Sequence, residues 1–206
     1  MVTYGRSGST LLMGILNSIP GYLIRGENRD AVHHLFMFHK TLATEKGRAP
    51  RRRLRQRTHP FFGIGDVPLD RSLRQCRQLV LSTVMRPRDE TRVTGFKEIR
   101  WAHPDLEEYV AWLLELFPHA KFVVNTRNHE DVLKSEWWAT GDNAQQLAAM
   151  EDRLLALATD LGEAAYHVHY DDYVADPASL RGMFEWLGEE FVEAEVRKVL
   201  AVRHSV

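Results

Sequence analysis

The chain has 206 residues, 44% apolar and 27% charged, with 13 Gly, 8 Pro and no repetitive tract, which excludes a disordered, collagen-like or solenoid protein and predicts one domain over residues 1–206. No stretch approaches the roughly 18 apolar residues of a membrane helix, the first residues lack a secretory segment, and Cys76 is the only cysteine, so neither a membrane span, an internal disulfide nor a cysteine-based metal site is expected and a cytoplasmic location is. The net charge of -1 conceals 19 Lys and Arg against 8 Asp and Glu in residues 1–100, and 8 against 20 in the remainder, so the basic half should attract anions.

Val2 to Tyr4 reads as a short strand running straight into the polar turn Gly5-Arg6-Ser7-Gly8-Ser9-Thr10. From Ser9, apolar residues fall at helical spacing until Pro20-Gly21 ends the pattern. Tyr22-Leu23-Ile24 predicts a second strand leading into Arg25-Gly26-Glu27-Asn28, and Ala31 to Thr44 a helix. The basic run Lys46, Arg48, Arg51, Arg52, Arg53, Arg55 and Arg57 follows. It is read either as a solvated loop or as a patch that steers an anionic ligand, and nucleic acid is not the expected partner because no aromatics are interleaved for stacking on bases. Pro68 to Met85 predicts an amphipathic helix with Cys76 on its apolar side, Val93 to Phe96 a strand, and Pro104 to Phe117 a helix. Lys121 to Asn125 is a buried strand ending in Thr126-Arg127, followed by a helix running to about Trp138 and a long one over Ala144 to Leu161. Ala165 to Tyr170 is the last strand, and helices near Ala178 to Leu187 and Val192 to Val202 close the chain.

Strands alternating with helices at crossover spacing predict an α/β fold: a mainly parallel central sheet of about five strands with helices on both faces. Ligands of such sheets bind at the carboxyl ends of the strands. Gly5 to Thr10, Glu27 and Arg127 each follow a strand directly, so the topology should gather them at one edge.

The turn at 5–10 combines unpaired backbone N–H groups, the positive end of a helix, two glycines, the hydroxyls of Ser7, Ser9 and Thr10, and the charge of Arg6. That chemistry suits a phosphate-like anion. A nucleotide kinase or ATPase would show Gly-x-x-x-x-Gly-Lys-Ser/Thr, and here the spacing is shorter and the lysine absent. With no strand ending in a magnesium-binding Asp, no metal is expected.

Tyr4-Gly5-Arg6-Ser7-Gly8-Ser9-Thr10-Leu11-Leu12 resembles the phosphosulfate-binding loop of sulfotransferases that use 3′-phosphoadenosine 5′-phosphosulfate (PAPS), in the arginine-containing form of the carbohydrate and tyrosylprotein branches. About 120 residues later, Arg127-Asn128-His129-Glu130-Asp131-Val132-Leu133-Lys134-Ser135 is similar to the family's 3′-phosphate motif, an arginine at a strand end with a serine eight residues on. His129 replaces a common proline. The resemblance implies a P-loop-like three-layer fold and sulfuryl transfer from PAPS to a hydroxyl or amine acceptor, such as a carbohydrate or small metabolite. It implies that Arg6, Ser7, Gly8, Ser9, Thr10, Arg127 and Ser135 bind the nucleotide.

Weaker matches extend the set. Arg25-Gly26-Glu27 resembles the segment that carries a catalytic carboxylate, which makes Glu27 the candidate general base. Gly95-Phe96-Lys97-Glu98 resembles the segment whose lysine stabilises the transferring group, giving that role to Lys97. His169-Tyr170-Asp171 resembles a segment whose tyrosine contacts the nucleotide, which nominates Tyr170. His33, His34 and His39 are the fallback bases, and Trp101, Trp137 and Trp138 are candidates for an acceptor wall or for packing. Family members often carry a glycine-rich covering loop after the last helices, whereas this sequence stops at His204-Ser205-Val206. Three readings of closure over the nucleotide stay open: the chain is a fragment, another segment serves as the lid, or the protein is impaired. Two alternatives stay open: a P-loop-type small-molecule kinase, and a nucleotide-binding module without catalysis.

Overall fold

The computed structural model describes residues 1–48, 56–135, 138 and 143–202. Arg51, Arg52, Arg53, Arg55, Trp137 and the stop at His204-Ser205-Val206 lie outside them. In chain order the elements are α1 (Ser9–Asn17), β1 (Tyr22–Arg25), α2 (Ala31–Arg48), α3 (Leu69–Leu79), β2 (Val93–Phe96), α4 (Leu106–Leu116), β3 (Phe122–Thr126), α5 (His129–Leu133), α6 (Asn143–Leu161), β4 (Ala165–His169), α7 (Tyr170–Ala175), α8 (Arg181–Leu187) and α9 (Glu193–Leu200).

β1 pairs with β2 in parallel, Tyr22 opposite Val93, and β3 with β4 in parallel, Phe122 opposite Ala165. This corrects the expected central sheet of about five strands: the described residues form two sheets of two strands each. Val2 lies between them and makes one parallel bridge to Glu98 and another to Val124. The reason is local. The segment pairs only around Val2 before the chain turns away at Gly5, where Arg6 and Gly8 adopt left-handed φ values of 69° and 78°, so no ladder of successive residues can build up.

All five residues of β3 are buried, and strand alternation sends them to opposite faces. Phe122 and Val124 join a core with Phe36, Trp101, Leu106, Leu113 and Leu154 from the α2, α4 and α6 side. Val123 joins a second core with Leu12, Ile15, Met183, Phe184 and Val196 from α1, α8 and α9. Helices therefore cover both faces, as the parallel pairing requires. Cys76 is buried within the first core. α5 ends at Leu133 rather than near Trp138. Its start is set by Asn128, whose side chain accepts the N–H of Glu130. No helix of the described residues is long and apolar enough to cross a membrane.

Candidate active site

Because the four strands are parallel within their pairs, the residues that leave their carboxyl ends can share one edge. Glu27 follows β1, Lys97 follows β2, Arg127 follows β3 and Tyr170 follows β4. All four line a single cavity of about 820 Å³ together with Gly5, Arg6, Gly8, Ser9, Thr10 and Ser135.

The turn at 5–8 is clamped from several sides. Trp138 Nε1 donates to the Gly5 carbonyl at 3.0 Å, and an Arg127 N–H donates to the Arg6 carbonyl at 3.2 Å. Asn125 Nδ2 donates to the Ser7 carbonyl at 2.8 Å, while its Oδ1 accepts from the Tyr173 hydroxyl. Gly8 precedes α1 without any side-chain cap, so the first amides of the helix stay available to an anion. A Cβ on Gly8 would stand 2.0 Å from Tyr170 Cδ2; only glycine lets this ring close on the loop. The Arg127 guanidinium in turn lies 4.4 Å from the centre of the Tyr170 ring, a cation–π stack. Its Nε is buried and has no hydrogen-bond partner among the described residues. Such a donor is costly to leave unmade, and an anionic oxygen would satisfy it.

Ser7 departs from its expected role as a hydroxyl for the anion. Its side chain is fully buried, 2.6 Å from Thr3 Oγ1, and is absent from the cavity lining. The turn alternates between inward and outward positions, and Ser7 takes an inward one.

Glu27 and Lys97 meet each other, Nζ to Oε1 at 2.5 Å, with the lysine side chain 6% exposed and the glutamate 34%. Ser135 lines the cavity while its hydroxyl donates to the Val132 carbonyl. Beside it, Asp131 and Lys134 pair at 2.6 Å, and that bond pulls the Asp131 carboxyl down and pushes the Lys134 ammonium up. Arg6, Lys97, Arg127 and Lys134 thus bring four cations to a cavity that also holds two carboxylates, Glu27 and Asp131.

The contacts that support these groups were not readable from the sequence. Tyr4 accepts the Arg127 backbone N–H at 2.8 Å and donates to Glu151 at 2.5 Å; burial, followed by the Glu151 bond, pushes its phenol far up. Thr126 Oγ1 bridges His167 Nε2 and His169 Nδ1, at 2.7 and 2.8 Å, and His169 Nε2 reaches Asp171 at 3.2 Å. Asp171 also accepts the Asn128 N–H, joining the ends of β3 and β4. Burial and the neighbouring His169 lower the pKa of His167. Val174, Leu200 and Val202 add apolar lining from α7 and the end of α9.

The fallback bases lie elsewhere. His33 stacks on His103 with ring centroids 3.6 Å apart and pairs with Asp105, His39 meets Ser72, and His34 lines a separate apolar groove with Phe38 and Leu79. Trp101 is a core residue that donates to the Glu98 carbonyl, not an acceptor wall. Of the basic run, Lys46 donates to the Val67 carbonyl and Arg48 pairs with Glu45, both away from the cavity. Among the described residues no cluster of three or more His, Cys, Asp or Glu is disposed to hold a metal ion.

Fold and site together define an α/β protein with a glycine-bearing turn before its first helix, faced by an arginine from a second parallel strand end. The family model described as Sulfotransferase family matches residues 1–193. The chain belongs to the sulfotransferase family, and is a transferase by that membership. No curated protein matches it significantly.

Proposed function

We propose that the protein transfers a sulfuryl group from PAPS to a hydroxyl or amine acceptor. The observation that carries this reading is the meeting of two sequence-distant cationic elements in one cavity: Arg127 touches the loop at Arg6, and its buried Nε lacks a partner among the described residues. In this reading Arg127 and Ser135 hold the 3′-phosphate, with the Tyr170 ring backing the guanidinium. The first amides of α1, the hydroxyls of Ser9 and Thr10, and Arg6 hold the phosphosulfate.

The acceptor oxygen or nitrogen attacks sulfur, the bond from sulfur to the bridging oxygen breaks, and its electron pair leaves on the 5′-phosphate of adenosine 3′,5′-bisphosphate (PAP). Glu27 takes the acceptor's proton. Charge builds on the bridging and equatorial oxygens, where Lys97 and the loop amides stabilise it. Removing one such preorganised donor costs about 3 to 4 kcal/mol in comparable sites. Lys97 is bound to Glu27 at 2.5 Å, so an anionic donor that draws the ammonium toward itself also frees the carboxylate. Little covalent assistance is required, by analogy with phosphoryl transfer, because positioning and charge dominate loose transition states.

The test is calorimetric titration with PAP, followed by incubation with PAPS and a panel of hydroxyl and amine acceptors, reading PAP release. Binding together with acceptor-dependent PAP release is expected. Binding without transfer to any acceptor class would leave a nucleotide-binding module, and magnesium-dependent transfer from ATP would favour a kinase.

A further inference from the structure

Among the described residues Glu98 is the only buried carboxylate, 3% exposed, and the reaction above does not use it. A buried carboxylate is tolerated only when donors surround it, so its partners say what it does. Oε2 accepts the backbone N–H groups of Asn28 at 3.1 Å and Asp30 at 3.4 Å, and Oε1 accepts that of Ile99 at 2.9 Å. Two of the three donors belong to the loop that presents Glu27.

That loop needs holding. Arg29 and Asp30 have φ values of 52° and 66°, left-handed conformations that non-glycine residues keep only where the surroundings over-determine them. Asn28 closes the start of α2 by accepting the Val32 N–H on its side chain and the Ala31 N–H on its carbonyl. Asp30 reaches His103 at 3.2 Å. Adjacent residues thus grip the loop twice: Lys97 meets the Glu27 carboxylate, and Glu98 fixes the backbone just after it.

We infer that Glu98 is a positioning residue, whose buried carboxylate holds the Glu27 loop so that the carboxylate at 27 faces the reacting hydroxyl; this rests on Glu27 being the proton acceptor. The first measurement needs no activity. In the Glu98→Ala variant of the full chain, amide hydrogen exchange at Asn28 and Asp30 should quicken at least tenfold, while Val123 and Val124 in β3 stay within twofold of wild type. Glu98→Gln keeps one carbonyl oxygen toward the loop and should restore most of the protection. If the Ala variant does not fold, Glu98→Asp withdraws the oxygens by one methylene and must show the same selective loss.

The second measurement is PAP release from saturating PAPS, to the best acceptor or to water. Glu98→Ala should fall at least 30-fold in kcat with the donor KM within threefold, and Glu98→Gln should return to within fivefold of wild type. Unchanged exchange at 28 and 30, protection lost equally across β3, or full turnover in the Ala variant each overturn the inference. Glu27→Gln, measured in parallel, separates the two readings. Turnover kept by Glu27→Gln sinks the proton-acceptor role, whereas the exchange pattern judges the hold of Glu98 on the loop by itself.

Discussion

Replacing Arg127 by alanine removes three things at once: the N–H donated to the Arg6 carbonyl, the stack on Tyr170 and a cation whose Nε has no partner among the described residues. Only the last would bear on a 3′-phosphate directly. A hydrogen bond to a charged group contributes about 1.5 to 3 kcal/mol. Since Arg127 is half-buried and already spends one N–H on the loop, a net loss of about 2 to 3 kcal/mol is expected, roughly 30- to 150-fold in affinity. The assay is titration of wild type and Arg127→Ala with PAP and with adenosine 5′-monophosphate, which lacks the 3′-phosphate. The alanine variant should lose the full factor for PAP and less than threefold for the monophosphate. Arg127→Lys should recover only part of it, because lysine keeps the charge but neither the planar stack nor the fork of donors. An equal loss for both nucleotides would refute the reasoning, since the arginine would then act only by shaping the turn at 5–8.

Three other outcomes follow from the same geometry. Gly8→Ala must adopt a left-handed φ, costing about 1 to 2 kcal/mol, and would drive a Cβ into Tyr170; PAP affinity should drop at least tenfold with a lower Tm, and adding Tyr170→Ala, which relieves the clash but not the backbone strain, should recover only part of the Tm and none of the affinity. Glu27→Gln should lower turnover about 100-fold, in line with general-base contributions, with PAP affinity within a few-fold by titration. Burial holds the His167 pKa below its ordinary value of about 6.5, so the unfolded chain gains a proton before the native one does and stability should fall as pH drops below that value. The His167→Gln variant should lose less Tm between pH 7.5 and 5.5 than wild type; equal losses would remove His167 from the account.

How much of this was legible in the residues alone depends on the distance over which each feature is decided. Helical periodicity, the Pro20-Gly21 stop and the strand ends depend on near neighbours, so β1 to β4 and most helices lie within a few residues of their predicted bounds. The convergence of Glu27, Arg127 and the turn at 5–10 was also legible, because parallel topology by itself puts strand carboxyl ends on one edge; that Lys97 joins them in the same cavity was decided by the structure. Contacts between distant segments were not. Ser7 and Ser9 look alike in sequence, yet Asn125, 118 residues further on, holds the Ser7 carbonyl and that side chain is buried, whereas Ser9 lines the cavity.

The same holds for Glu98 beneath the loop of Glu27, for Tyr4 under Arg127, and for the ring of Tyr170 on Gly8. Each pairing joins residues about 70 to 160 positions apart and is selected by packing and desolvation rather than by local backbone preference. Even the sheet obeys this division. Near neighbours dictated where strands form and where the chain turns away after Val2, whereas tertiary docking decided that Val2 would bridge two short sheets at Glu98 and Val124.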